Sequence, residues 1–306
     1  MRKTAIRLFA ALLLFCALFH PLSAAAAGVD VSRECSLELE YSSEGIGFSN
    51  QNIQIFRIAQ MYPNGDCILL PPFSSLPVKI TGVTSQKEWQ DTADTLAAYI
   101  VSQHLSPTAS GVTDASGKVT FTNLQTGIYL VTAVNVTSGK DTYYFENFCV
   151  FLPRPQDDGT MLYDISAKPK YMKDTGADEV VTYQVTKLWK DSGTGRPDSV
   201  TVEIYKDGQL HETVVLNTDN MWTHTWTAPD RSNIWTVVEK DVPKGYTVVV
   251  GSTGDSFTVT NSVINIPPQE NPKMGDSFPL STWIAAMAIS GMLLILLGVL
   301  KKRNGK

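Results

Sequence analysis

Trp235-Thr236-Val237-Val238-Glu239-Lys240-Asp241-Val242-Pro243-Lys244-Gly245-Tyr246 is the stretch that decides the fold. Its first five residues alternate with a period of two, so Trp235, Val237 and Glu239 share one face of a strand. That face belongs in a core, yet it carries a carboxyl. Two other stretches repeat the anomaly. Val185-Thr186-Lys187-Leu188-Trp189 sets a lysine among inward apolar neighbours, and Phe257-Thr258-Val259-Thr260-Asn261 does the same with an asparagine. A lysine, a carboxyl and an asparagine buried together can react, and the product is a covalent bond within the protein.

Working outward, strand-like runs cover residues 182–189, 199–205, 212–216, 222–226, 234–239, 246–250 and 257–261, with Asp207-Gly208 as a hairpin signal. Seven short strands without a helix imply an antiparallel sandwich over residues 180–263. Upstream, residues 36–41, 53–58, 119–121, 128–134, 148–152 and 162–167 read as strands, separated by turns such as Asn64-Gly65 and Asp158-Gly159. One helix interrupts them. Ser85 and Glu88 form a capping box, and Trp89, Ala93, Leu96, Ala97 and Ile100 mark an apolar face. The Glu88 and Asp94 carboxyls read as its solvated side. The expected architecture is all-β: two tandem immunoglobulin-like or prealbumin-like antiparallel sandwiches, residues 28–171 (with the inserted helix) and 180–263, joined by a polar linker at 172–179.

The ends point to the cell surface. Arg2, Lys3 and Arg7, an apolar run over residues 8–19 and the small residues Ser23 to Ala27 read as a secretory signal, residues 1–27. Residues 280–300 carry no charge and are long enough for a transmembrane helix. The basic tail 301–306 then lies in the cytoplasm and the bulk of the chain outside. A Pro-rich spacer, 264–279, connects the last sandwich to that span. With 25 basic and 30 acidic residues the net charge is −5. Most of the positive charge at the ends is removed with the signal or held inside, which argues against nucleic acid as a partner.

Cys35, Cys67 and Cys149 remain after signal removal. Either one disulfide among them or three free thiols fits an oxidising location, and three pairings stay open. His104, His211 and His224 do not cluster, and neither a metal-ligand spacing nor a nucleophile elbow nor a phosphate loop is present. No cofactor, no metal and no enzymatic turnover are expected.

The second sandwich resembles the Cna-B domain, the B-type repeat of Gram-positive collagen adhesins and pilins. The resemblance rests on Val185-x-Lys187-x-Trp189, Arg196-Pro197-x-Ser199-Val200, Lys206-Asp207-Gly208, Phe257-x-Val259-x-Asn261 and, most of all, Trp235-x-Val237-x-Glu239-x-x-x-Pro243-x-Gly245-Tyr246, which is similar to the pilin E box. It implies an intramolecular isopeptide bond between Lys187 and Asn261, with Glu239 as its catalyst. Independent chemistry agrees. Desolvation makes a buried lysine a neutral nucleophile and keeps a buried glutamate protonated. Trp189, Trp222, Trp226 and Phe257 are the expected dry walls. The first sandwich is similar to pilin N-terminal domains through residues 113–124 and Gly127-x-Tyr129-x-Val131, but Ala133 stands at the E-box acid position and no lysine occurs between Lys3 and Lys79. No isopeptide bond is expected there.

Asn271-Pro272-Lys273-Met274-Gly275, followed by the apolar span and basic tail, is similar in layout to a sortase sorting signal, with Asn and Met replacing its usual Leu and Thr. The resemblance implies a sortase as partner and wall attachment. Lys170, in Ile165-x-Ala167-Lys168-Pro169-Lys170, is similar in position to an assembly lysine, and an exposed linker lysine is the plainer reading. The implied role is a cell-surface structural or adhesive protein: a stalk, a minor pilin-type subunit, or an adhesin for other subunits or host ligands. The alternative is a single-pass receptor or ligand-binding protein without covalent anchoring, which the six-residue tail disfavours.

Overall fold

The computed structural model describes residues 28–264 apart from 176–179, 194 and 232. The signal, the Asn271 to Gly275 motif, the apolar span and the basic tail lie outside the described residues. Among the described residues no helix is long and apolar enough to cross a membrane.

The upstream sandwich faces two sheets across a core. One sheet orders Asp164–Ala167, Cys35–Glu40 and Lys118–Leu124, and the other orders Phe148–Leu152, Gly127–Ala133, Asn52–Met61 and Cys67–Leu69, with Ala109–Val112 also on Asn52–Met61. Leu37, Leu39, Ile53, Ile55 and Tyr129 fill the space between them. The second sheet is apolar on both faces, because the helix Gln86–Gln103 packs Ala93, Leu96 and Ile100 against Phe56, Ile58, Ile128 and Leu130. A strand covered on both sides reads as a continuous apolar run, as Gly127–Ala133 does. Gly127 admits no side chain, since a Cβ there would sit 2.2 Å from the Ala59 carbonyl oxygen.

The helix starts as its capping box predicts, with Ser85 and Glu88 exchanging hydrogen bonds. Its far side is a surprise. Thr92, Thr95 and Ala98 are also buried, and Thr95 Oγ1 accepts from the Val250 N–H at 2.8 Å in the downstream sandwich. The Val248 N–H donates to Pro77 O at 2.9 Å. The edge of strand Tyr246–Thr253 is therefore capped by the upstream half, which leaves fewer open edge groups for stray pairing. Asp94 is not on a solvated face. It is half-buried, accepts from Gln90 and Asn147, and burial pushes its carboxyl up to about 6.

The downstream sandwich has all seven expected strands. Thr223–Ala228, Val181–Lys190, Ser256–Val263 and Tyr246–Thr253 form one sheet, and Gln209–Asn217, Ser199–Lys206 and Trp235–Glu239 the other. Asp207 and Gly208 both have positive φ, 50° and 79°, as a tight hairpin between right-twisted strands requires.

Two further expectations are corrected, and of the two cysteine alternatives the free thiols are found. The sandwiches are not wholly antiparallel: Val181–Lys190 and Ser256–Val263 run parallel, as do Cys35–Glu40 and Asp164–Ala167. The chain leaves the first strand, visits the opposite sheet and returns through an antiparallel neighbour, so the last strand enters from the same end as the first. The linker does not begin at residue 172, because Tyr171–Asp174 pairs with Asp141–Phe145 as a strand. The three cysteines are free thiols. Cys35 lies in the core between the sheets, while Cys67 and Cys149 lie under the helix on strands separated by two others, about 14 Å at the usual strand spacing. That is well beyond disulfide reach.

Candidate functional site

Lys187, Glu239 and Asn261 converge between the two sheets of the downstream sandwich. In Val181–Lys190 the residues 181, 183, 185 and 187 are buried, and in Trp235–Glu239 the residues 235, 237 and 239. In Ser256–Val263 the buried positions are Val259 and Asn261. Exposure is 4 % for Lys187, 5 % for Glu239 and 0 % for Asn261, so none of the three meets bulk water. The parallel register pairs Lys187 with Val259 and Trp189 with Asn261, which puts the amine and the amide one diagonal step apart on the same sheet face. Glu239 faces them from the opposite sheet.

The hydrogen bonding is incomplete in an informative way. Lys187 Nζ donates to Leu188 O at 2.9 Å and to Val259 O at 3.4 Å, and lies 3.9 Å from the Trp189 ring centroid. Two carbonyls match the two protons of a neutral amine. Asn261 Nδ2 donates to Thr247 O at 3.3 Å. Its Oδ1 and both Glu239 carboxyl oxygens have no protein partner in hydrogen-bond geometry. Orphaned buried oxygens are costly, and a buried carboxylate without partners is costlier. A protonated Glu239 removes the problem by donating to Asn261 Oδ1, and the Asn261 side chain is near enough to act on the Glu239 carboxyl.

Burial sets the charge states. It pushes Glu239 up to about 7, against the pull of Lys187 and of the Asn261 amide. It pushes Lys187 down to about 8, against the pull of Glu239 and Asp191 and with the help of Arg196. Both groups move toward their neutral forms, and each attracts the other toward the ionised form.

Two of the four expected wall residues enclose the lysine. Trp189 and Trp222 meet edge-to-face with centroids 5.6 Å apart, and Tyr246 joins them 5.2 Å from Trp189. Trp226 instead stacks with Tyr183 and with Phe257 in a separate aromatic cluster nearer the start of the lysine strand. The sequence reading assigned no role to Tyr246, Thr247, Asp191 or Arg196. Arg196 and Tyr246 were legible only as motif residues, and Asp191 only as a turn former directly after the lysine strand; its Oδ1 accepts from the Gly193 N–H at 2.7 Å.

Other candidates lie elsewhere. Lys170 is exposed between strands Asp164–Ala167 and Tyr171–Asp174, with its carbonyl accepting from Glu146 N at 3.0 Å. In the upstream sandwich, Leu37, Leu39 and Ile165 occupy the inner positions of the corresponding parallel pair. Among the described residues no group of His, Cys, Asp and Glu is arranged to hold a metal ion.

Comparison with known proteins falls on this site. Residues 183–262 match the model of the Cna protein B-type domain. Over 87 residues the chain is 39 % identical to a collagen adhesin of Staphylococcus aureus, which covers 25 % of this chain and 7 % of the adhesin, so the chain spans less than a tenth of that relative's length. Similar solved structures include a single B repeat unit of the collagen-binding surface protein of Staphylococcus aureus, 19 % identical, covering 76 % of this chain and 98 % of that one, with a TM-score of 0.26. The shaft pilin SpaA of Lactobacillus rhamnosus GG is 16 % identical, covering 77 % and 100 %, with a TM-score of 0.27. The minor pilin GBS52 of Streptococcus agalactiae is 15 % identical, covering 77 % and 98 %, with a TM-score of 0.26. Lys187, Glu239 and Asn261 all fall within the residues that match the Cna protein B-type domain.

Proposed function

We propose that this chain is a load-bearing cell-surface protein, a stalk, minor pilin-type subunit or adhesin, whose downstream sandwich is locked by an isopeptide bond between Lys187 and Asn261. The observation that carries the reading is the burial of an amine, an acid and an amide together, with the acid oxygens and the amide oxygen left without partners. In the reaction, Glu239 donates a hydrogen bond to Asn261 Oδ1 and polarises the carbonyl. The neutral Lys187 Nζ attacks Asn261 Cγ. The Nζ–Cγ bond forms and the Cγ–Nδ2 bond breaks. Glu239 relays the proton lost by Nζ to Nδ2, which departs as ammonia. Glu239 ends as it began, and the product is an amide.

The bond would join the first and last strands of the sandwich, which already lie side by side. Force applied along the chain then passes through a covalent link instead of peeling strands apart. Residues 271–275 and 280–306 extend the reading to a protein handed to a sortase and attached to the wall. Release from cells by muramidase, without detergent, is the expected result; release by detergent alone would leave a membrane-held protein.

The reaction is tested on residues 28–264 recovered unfolded and then refolded at a series of pH values. Intact mass should fall by one ammonia. The reactive pair shares one proton, so the rate should be bell-shaped, highest between about 7 and about 8 and falling on both sides. On the acid side Lys187 is protonated, and on the alkaline side Glu239 is ionised. An unchanged mass at every pH would end this reading.

A further inference from the structure

The outer side of the lysine chamber is closed by charged groups that the reaction as written does not use. Asp191, which follows the lysine strand, has a side chain only 1 % exposed. Its Oδ1 accepts from Arg196 Nε at 2.8 Å and Nη2 at 2.5 Å, and its Oδ2 from the Tyr246 hydroxyl at 2.8 Å. Tyr246 sits at the start of the strand beside the asparagine strand, so Asp191 ties the loop after the lysine strand to the reacting sheet. The Arg196 guanidinium lies 5.8 Å from the Trp189 ring centroid, and Lys187 Nζ lies 3.9 Å from the same centroid. One indole thus stands in contact with the reacting amine and close to an ion pair that is screened from solvent on its acid side.

We propose that the Asp191–Arg196 pair closes the chamber over Trp189 and balances the field at Lys187, which makes both of them positioning residues for the cross-linking reaction. The proposal rests on the isopeptide reading above. The charged groups that face Lys187 are Glu239 from the opposite sheet and Asp191 and Arg196 from the loop, with Tyr246 reaching it through Asp191. Asp191 alone would favour a protonated lysine, and Arg196 alone would oppose it. Held together they oppose each other, and burial remains the largest influence on the amine. The carboxylate cannot leave this role by titrating near neutrality, because Arg196 and the Tyr246 hydroxyl hold it far down, at about 2.

Opposite charge changes at the two ends of one ion pair give opposite results, which loss of a merely structural contact does not. In the refolding assay, Arg196→Gln leaves Asp191 unbalanced and should move the whole bell to higher pH, by roughly half a unit or more. Asp191→Asn should move it to lower pH by a similar amount. Arg196→Lys keeps the charge and should hold the bell at the wild-type position. Shifts of the same sign in Arg196→Gln and Asp191→Asn, or unmoved bells in both, overturn the proposal while ammonia is still lost. If Asp191→Asn does not refold, Arg196→Gln against Arg196→Lys decides: a difference supports the field, and identical bells refute it. A wild-type chain that never loses ammonia removes the isopeptide reading itself, and the proposal with it.

Discussion

Asn261→Leu should unfold about 4–5 kcal/mol more easily than the wild-type domain, the entropy regained when a loop of 74 residues is no longer closed. For a domain of this size that corresponds to a fall in melting temperature of roughly 20 °C. Leucine replaces the amide with an apolar group of similar volume, so the loss of the link dominates over a cavity. The change also leaves the Thr247 carbonyl and the Glu239 hydroxyl without the amide they engage, which adds a smaller loss of the same sign. Denaturant unfolding, read alongside intact mass, checks it. A variant that regains the ammonia yet unfolds with the wild type would show that the link bears no load in this fold.

Glu239→Ala should be worse than Asn261→Leu, although both block the bond. It leaves Lys187, 4 % exposed, against carbonyls and an indole, with the Asp191–Arg196 ion pair as the remaining charges that face it. Without its partner the lysine must either bury an unpaired charge or give up its proton, and losing one member of a buried ionisable pair costs roughly 3–5 kcal/mol where the survivor is charged. The double variant Lys187→Met/Glu239→Leu should recover most of that extra loss while remaining unlinked. The two differ in pH dependence as well. In Glu239→Ala the folded lysine holds its proton less tightly than the unfolded one. The unfolded chain therefore binds more protons between the two values, and stability rises with pH up to about 10.4. The double variant lacks that slope. A Glu239→Ala protein that matches the double variant at every pH would mean that Lys187 is not held in a dry interior.

Much of this was legible in the sequence. Residues 180–263 showed their strands because each alternates, and alternation records burial on one face. The hairpin at Asp207-Gly208 and the cap at Ser85 were legible for the same kind of reason: both depend on residues that are neighbours in the chain. The upstream half was harder to read. Ala109–Val112, with Ser110 and Gly111 in it, and Tyr171–Asp174, with Lys173, lack the apolar alternation that marks a strand and exist because a partner strand is waiting. The sequence left three cysteine pairings and three free thiols equally open, and strand order puts two strands between Cys67 and Cys149.

In the downstream sandwich the sequence by itself determined which chemically anomalous residues would lie inward: Lys187, Glu239 and Asn261 each follow from local periodicity. Only the tertiary structure decided that the lysine strand and the asparagine strand run parallel with Trp189 beside Asn261, that Glu239 answers from the opposite sheet, and that Asp191, Arg196 and Tyr246 close the space above Trp189. It also decided that the helix Gln86–Gln103 serves two sandwiches, one through Ala93 and Leu96 and the other through Thr95. The physical reason is range. Periodicity and capping act over a few residues of chain, whereas strand order, register and the field at a buried amine arise from groups far apart in sequence that meet only when the core closes.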